Sequence, residues 1–441
     1  MKPFIPFLAA LAFAGGAQAT DLLQVYREAL GHDAQYAAAR AARAAGLEKL
    51  PQGRAGLLPT VGLTANTTWN DMESTTRTSP PVARGADFNS NGWSVSLSQP
   101  LFRWQNWIGY RQAGLSAALA ELQLAQAGQD LILRVTQAYF DVLLAQETLA
   151  TAQAQKAAIA EQLELAKKSF EVGAATITDT HEAQARHDLA LAAEIAAEND
   201  LAVKRQALRT LTGTTPATLR GLPGGVRIDA PRPAEIGAWV GSAETGNLGV
   251  QIAQTGLEVA AREIERQRAG HYPTLDLVAS HGRSATGASI AATTGAGSDT
   301  KSSTLGLQLA VPLYAGGAVS AREREAAFLH DKARADLDNA RRQAALSAQQ
   351  SFLGVNAGLA QVRALEAGVA SSKLAVESNK LGYEVGVRIN IDVLNAQSQL
   401  FDTQQKLAKA RLDTLMAQLR LKAAAGTLSA DDLAAVNALL R

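Results

Sequence analysis

Two hydrophobic periods alternate along this chain. A period of two runs from Thr60 to Asn70, where Val61, Leu63, Ala65, Thr67 and Trp69 share one face and Thr60, Gly62, Thr64, Asn66, Thr68 and Asn70 the other. It returns at Trp93, Val95, Leu97 and Leu101 against Ser94, Ser96 and Ser98, and at Leu275, Leu277 and Ala279 against Thr274, Asp276 and Ser280. A last instance sets Leu305, Leu307, Leu309 and Val311 against Thr304, Gly306 and Gln308. Such alternation predicts four strands, at about 58–70, 91–102, 273–282 and 303–313. The connections 71–92 and 282–303, rich in Ser, Thr, Gly, Asn and Asp, are expected as surface loops. The polar faces carry Ser, Thr, Asn and Gly rather than Lys and Glu, and Trp69, Trp93, Trp104 and Trp107 sit at or beside the first strand pair. Short segments with an apolar outer face, a small-polar inner face and flanking aromatic residues are what a membrane barrel requires. Four strands cannot close a barrel, and an open sheet edge in lipid leaves backbone groups unpaired. A barrel therefore demands several copies of the chain.

The second period is helical. Leu124, Gly128, Leu131, Val135, Ala138, Val142, Ala145, Leu149, Ala152, Lys156, Ile159, Leu163, Ala166 and Phe170 follow alternating four- and three-residue spacing, and only Gly128 and Lys156 are not apolar. A helix from about Gln105 to Val172 would be ~100 Å long at 1.5 Å per residue. Val393, Ala396, Leu400, Thr403, Leu407, Ala410, Thr414, Ala417, Leu421 and Ala424 repeat the pattern. Sustained heptads mean coiled-coil packing, and Ala or Thr at the seam permits close approach.

The chain is also a duplication. Gln99–Phe102 (QPLF) recurs as Val311–Tyr314 (VPLY), offset 212, and LLPT at 57–60 as HYPT at 271–274, offset 214. Phe170-Glu171-Val172-Gly173 returns as Tyr383-Glu384-Val385-Gly386, Asp179 as Asp392 and Gly213-Thr214 as Gly426-Thr427, all offset 213. Landmarks that hold register in this way define two copies of one unit. The copies are 20–216 and 217–441, meeting in the Gly/Pro-rich stretch Pro216–Pro233. Each has two strands followed by a helical hairpin, at about 105–213 and 315–426. The thirteen prolines avoid both hairpins: none lies in 101–215 or 313–441.

Composition narrows the function. Residues 1–19 read as a cleaved secretory signal, with Lys2, an apolar run from Phe4 to Ala14, and Ala17-Gln18-Ala19 before the cut. Without Lys2, 41 basic residues face 41 acidic ones, a poor balance for nucleic-acid binding. The absence of cysteine excludes disulfides, thiolate chemistry and an N-terminal lipidated cysteine. His181-Glu182 is followed by His187, which is not the zinc-helix spacing, and the Gly295–Ser302 run has Thr300 where a phosphate loop needs Gly. No catalytic residues, cofactor or metal are expected.

The informative residues lie at the two hairpin turns. Gly173 and Gly386 stand where a helix ends in a left-handed residue. Asp179 and Asp392 then open the return helices, Asp179 through Glu182 as a capping box and Asp392 as an N-cap ahead of Asn395. Tyr383 and Arg388 flank the second turn, and an Arg there suits a bidentate bond to a carboxylate of a neighbouring hairpin.

The stretch Gly382–Gln397 (GYEVGVRINIDVLNAQ), the helix to Ala425-Gly426-Thr427-Leu428, Phe170–Gly173 with Ile177-Thr178-Asp179, and the QPLF/VPLY strand ends resemble the TolC family of outer-membrane exit ducts. The resemblance spans the whole mature chain. It implies a membrane α+β fold in which three protomers share one twelve-stranded β-barrel and build a periplasmic α-barrel from coiled-coil hairpins. It implies a homotrimer embedded in outer-membrane lipid, docking through its helix turns with a periplasmic adaptor and an inner-membrane ABC or RND translocase. In that family Tyr383 and Arg388 match residues that hold a gate shut through Asp179 and Thr178, and Asp392 matches a ring of acids that favours cations. Where the best-known member has a second aspartate this chain has Asn395, with Glu182 near enough to compensate. The expected activity is an exit duct for type I secretion or drug efflux, and the missing cysteine favours the secretion-associated, non-acylated type. The alternative is a non-conducting trimeric coiled-coil scaffold or adaptor of the cell envelope, which has no need of a lipid-facing stripe.

Overall fold

The computed structural model describes residues 20–173, 175–216, 218–288 and 296–440. The expected signal sequence, residues 1–19, lies outside them. Along the chain come α1 (Leu22–His32), α2 (Ala34–Leu47), α3 (Lys49–Ala55), β1 (Thr60–Thr76), β2 (Val82–Phe102), α4 (Trp104–Glu171) and α5 (Ile177–Thr212). These are followed by α6 (Ile236–Gly246), α7 (Leu248–Arg268), β3 (Thr274–Thr286), β4 (Ser298–Ala310), α8 (Ala318–Glu384), α9 (Asn390–Ala424) and α10 (Ala430–Asn437). Among the described residues no helix is long and apolar enough to cross a membrane. The described chain divides into two compact units.

One unit, residues 42–122 and 252–338, carries the sheet. Its strands are antiparallel in the order β1-β2-β3-β4, so β2 of the first repeat pairs with β3 of the second. The expected loop at 71–92 is mostly strand: pairing runs unbroken from Thr60 opposite Ser98 to Thr76 opposite Val82. The connection expected at 282–303 is likewise shortened, because β3 continues to Thr286 and β4 starts at Ser298. Of the Gly295–Ser302 run, Ser298 to Ser302 belong to β4 rather than to a helix. Polar side chains brace the ladder where the apolar alternation stops and beyond it, Thr76 Oγ1 donating to Val82 O (3.0 Å) at the far end. Asn70 Nδ2 donates to Ser90 Oγ (2.9 Å) and Asn89 Nδ2 to Thr67 Oγ1 (2.9 Å), cross-strand bonds that a hydrophobic pattern does not reveal. At the other end of the sheet Arg103 grips Asp276 through both guanidinium arms, at 2.8 and 2.6 Å, tying the end of β2 to the start of β3.

The alternating apolar residues point away from any core within the chain. Leu63, Leu305 and Trp69 are 69%, 76% and 78% exposed. β1 and β4 each have one edge without a partner strand among the described residues. Apolar surface of this extent on a pleated face, with both edges open, suits lipid and further copies rather than water.

The second unit comprises the chain up to 41, residues 123–251 and those from 339 onward. Here the heptad stripes are packed. Every stripe residue of α4 from Leu124 to Ala166 is buried or half-buried, Phe170 alone being exposed, and the ten of α9 are all covered. Lys156, out of place in an apolar seam, is explained by an ion pair with the buried Glu194 of α5. On α9 the seam threonines meet glycines of α8. A Cβ at Gly358 would lie 2.5 Å from Thr414 Oγ1, and one at Gly368 would lie 3.3 Å from Thr403 Cγ2, so these small pairs bring the helices close. The largest core gathers Leu131, Val135, Tyr139 and Val142 of α4 with Leu22, Val25 and Ala29 of α1 and Leu433 of α10. Full burial of one such side chain contributes about 1.5–3 kcal/mol.

A buried carboxylate fixes the joint between α1 and α2. Asp33 is 5% exposed, accepts from Tyr36 N at 2.6 Å, and takes both arms of Arg134 at 2.9 and 3.0 Å. The Arg134 hydrogen bond, helped by backbone N–H donors and opposed by burial, holds its carboxyl below the usual carboxylate range. Arg134→Met is expected to cost about 2–3 kcal/mol, less than the roughly 3–5 kcal/mol of a fully buried pair because the arginine side chain is itself 32% exposed. The folded carboxyl binds its proton less readily than the unfolded one. The pair therefore stabilises fully above the unfolded value of about 3.9, and its contribution disappears as pH falls through the lowered folded value. Denaturation of wild type and variant should differ most near neutral pH and converge in acid. An equal difference at both ends would refute the role.

Candidate functional site

The two hairpin turns are built alike. After α4 ends at Glu171, Gly173 takes φ of 76°, and after α8 ends at Glu384, Gly386 takes φ of 75°. Only glycine adopts that left-handed region without cost, so both hairpins reverse at the residue the repeat preserves. The return helices start earlier than the acids alone suggest. Thr176, with extended backbone, is the N-cap of α5, and Asp179 is the third helical residue. Thr176 N donates to Asp179 Oδ2 (2.9 Å) while Asp179 N donates to Thr176 Oγ1 (3.3 Å). The capping box is therefore Thr176 with Asp179, not Asp179 with Glu182. In α9 the cap position is Ile389, which offers no side-chain acceptor, and Asp392 again lies at the third position rather than at the cap. Threonine is a somewhat weaker N-cap than aspartate, but the extended backbone ahead of the helix decides which residue is used.

Arg388 is shaped by the same turn. Its backbone N donates to Gly382 O (3.0 Å), and a Cβ at Gly382 would lie 2.7 Å from Arg388 Cγ, so the arginine stem lies across the helix end where only glycine leaves room. Its Nη1 is 3.7 Å from Asp392 Oδ2, a long ion pair that leaves most guanidinium donors free. A cavity of about 600 Å³ brings together Asp179 from the first turn with Tyr383, Gly386 and Arg388 from the second, and Gln162 and Asn390 share its wall. Thr178 and Glu182 are exposed and lie outside that lining. Among the described residues neither Tyr383 nor Arg388 is bonded to Asp179 or Thr178 within the chain.

Asn395, three residues beyond Asp392, accepts from Arg186 Nη2 of α5 at 2.9 Å. Sequence reasoning missed Arg186. The available signal was its position seven residues after Asp179, on the same helix face. The turn-proximal interior is also poorly satisfied: both amide atoms of Asn390, and the amide oxygens of Gln162 and Gln397, are buried without a hydrogen-bond partner. Among the described residues no group of His, Asp and Glu is placed to hold a metal ion. The arrangement offers donors and acceptors at the tips of helices, suited to contacts between hairpins.

Comparison with known proteins matches this architecture. The outer membrane efflux protein family matches the chain twice, over residues 25–214 and 239–427, once per repeat. The outer membrane protein TolC of Vibrio cholerae is 35% identical over 445 residues, covering 100% of this chain and 99% of that protein. The proteases secretion protein PrtF of Dickeya chrysanthemi is 33% identical over 428 residues, covering 95% of this chain and 91% of its own. The crystal structure of the Campylobacter jejuni CmeC outer membrane channel superposes with a TM-score of 0.78 over 100% of this chain and 98% of that one, at 15% identity. That last likeness carries the fold alone. With one family pattern in both repeats, full-length relatives and a shared channel fold, the chain belongs to the outer membrane efflux protein family, as an exit duct of the outer membrane with its helical tunnel in the periplasm.

Proposed function

We propose that three copies of this chain, contributing four strands each, close one barrel and pass cargo handed over by an inner-membrane translocase through a periplasmic adaptor. The observation that carries this reading is the sheet, whose two outer edges lack partners and whose apolar face is exposed. In lipid both conditions are relieved only by closure with further copies. The adaptor would meet the hairpin turns, where Val172, Val385, Val387 and Ile389 are all exposed. Polypeptide export by a type I secretion system, driven by an ABC translocase, is the preferred assignment over drug efflux with an RND pump. The chain has no cysteine to acylate, and PrtF is named for protease secretion.

In this reading the turns form the gate. Tyr383 and Arg388 hold Asp179 and Thr178 of the first hairpin, in their own or a neighbouring protomer, when copies assemble. Asp392 forms the constriction ring, with Asn395 and Glu182 beside it. The unsatisfied buried amides favour this end as the moving one, since each unpaired buried polar group costs about 1–3 kcal/mol and makes local packing easy to exchange. In planar bilayers the purified trimer is expected to conduct weakly with a cation preference that falls in Asp392→Ala. A protein that inserts without conducting would overturn the duct in favour of a scaffold. Unchanged selectivity in the variant would reduce Asp392 to a helix-start residue. Crosslinking followed by co-purification then separates the partners, and recovery of an RND pump instead of an ABC translocase would reverse the cargo assignment.

A further inference from the structure

The lipid-facing side of the sheet changes chemistry abruptly. Near the helix-joined end the rows are apolar: Leu275 beside Leu309, Leu277 beside Leu307, then Val61, Leu97, Ala279 and Leu305 in line. The next row brings His281 into line with Leu63, Val95 and Ser303, and the one after sets Arg283 directly opposite Lys301, with Trp93 and Ala65 alongside. Like charges at directly opposed cross-strand positions repel, and nothing in the ladder requires them there. Asp299, one row further out, pairs with Arg283 through both guanidinium arms, one at 2.7 Å. Lys301 makes no hydrogen bond or ion pair among the described residues. Two cations thus share one carboxylate on a face that otherwise meets lipid.

The level of this cluster is set by its neighbours. Trp93 stacks edge-on against His281, with ring centroids 5.7 Å apart, and lies in the Arg283 row, while Trp69 projects from the same face two rows further out. Exposed tryptophans on a barrel exterior mark the boundary between hydrocarbon and headgroups. All four strand ends joined to helices lie on the opposite side of the apolar rows. With the helices in the periplasm, the cluster faces the outer leaflet. His281 Nδ1 is engaged with Ser303 Oγ (2.7 Å), which fixes the imidazole beside the two cations.

We propose that Arg283, Lys301 and His281, flanked by Trp93, form a site on the barrel exterior for the phosphate-bearing headgroup of an outer-leaflet lipid. A phosphate placed there would neutralise the opposed cations and accept from guanidinium and ammonium together, and the Trp93 ring would pack against the acyl-glycan junction. The inference goes beyond the gate and the cargo. It requires only that the apolar face of the sheet meets lipid.

The test uses the full-length protein reconstituted in phosphatidylcholine vesicles doped with a diphosphorylated saccharolipid, then extracted and weighed intact to count the lipid that remains bound. Wild type should retain the phosphorylated lipid. Lys301→Gln should lower its retention about fivefold, the effect of one basic residue at an anionic surface. The double variant R283Q/D299N, which removes the guanidinium donors while leaving the net charge of the cluster unchanged, should lower retention by less than Lys301→Gln, whereas Lys332→Gln on α8 should leave retention unchanged. Equal retention by wild type and Lys301→Gln would overturn the proposal. So would equal retention of a dephosphorylated saccharolipid, or displacement of the lipid by inorganic phosphate alone, which would indicate a free-anion site. Conductance of the same preparations keeps failure of this site distinct from failure of the duct.

Discussion

Arg388→Ser is expected to open the channel. A hydrogen bond to a charged group contributes about 1.5–3 kcal/mol, and each 1.4 kcal/mol is tenfold in a two-state equilibrium, so losing one latch per protomer should raise the open fraction by roughly tenfold or more. The guanidinium is poised for such a role. Its stem is seated over Gly382, its contact with Asp392 is long at 3.7 Å, and it shares a cavity with Asp179 and Tyr383. Tyr383→Phe removes a neutral hydroxyl and should give the smaller increase. Single-channel conductance in planar bilayers measures both. A wild type that is already open, and indifferent to both changes, would remove Tyr383 and Arg388 from the gate. Arg388 made no bond to the first hairpin within one chain, so the double variant Arg388→Ser with Asp179→Asn is informative. Its effect should match that of the arginine change alone if the two residues form one contact.

Gly426→Ala should be among the most damaging single changes in the chain. Gly426 has φ of +74°, and a Cβ there would lie 1.9 Å from the backbone oxygen of Gly246. The left-handed backbone costs a non-glycine residue about 1–2 kcal/mol, and forcing an atom into packed surroundings costs about 1–3 kcal/mol more. The neighbour is backbone and cannot rotate aside. Gly386 is the control: its φ is +75°, yet nothing lies within 4 Å of a Cβ there. Gly386→Ala should therefore show only the conformational part. Chemical denaturation followed by circular dichroism would separate the two, and equal losses would mean that the Gly246 contact yields at little cost. The comparison is clean because each glycine follows a long helix of the same hairpin.

The turns show how far the residues could be read. Left-handed glycines at 173 and 386 follow from chain reversal where a long helix ends, and the structure has them. The caps did not follow. Asp179 is as plausible a cap as Thr176 in one dimension, and only the extended backbone at Thr176 makes its hydroxyl the acceptor. Lys156 was visible as a fault in an apolar stripe, but its partner Glu194 lies 38 residues on, where local spacing has nothing to say. Arg186 and Asn395 are further apart still, and their bond exists because α5 and α9 come side by side.

What the residue order determined by itself was periodicity and repetition: two strands and a long hairpin, twice, with an apolar face that no single chain can cover. These are local properties, because burial on one face of a strand or helix imposes its spacing on neighbouring residues. The tertiary structure decided what periodicity does not encode. It carried β1 to Thr76 and started β2 at Val82, where a polar side chain gains a bond only from the adjacent strand, as Thr76 Oγ1 does by donating to Val82 O. It joined the two repeats at β2 and β3, and it set Arg283 against Lys301 across a ladder between strands whose register no single strand specifies. Polar partnerships depend on which elements face each other, and that is settled when hairpins and strands pack.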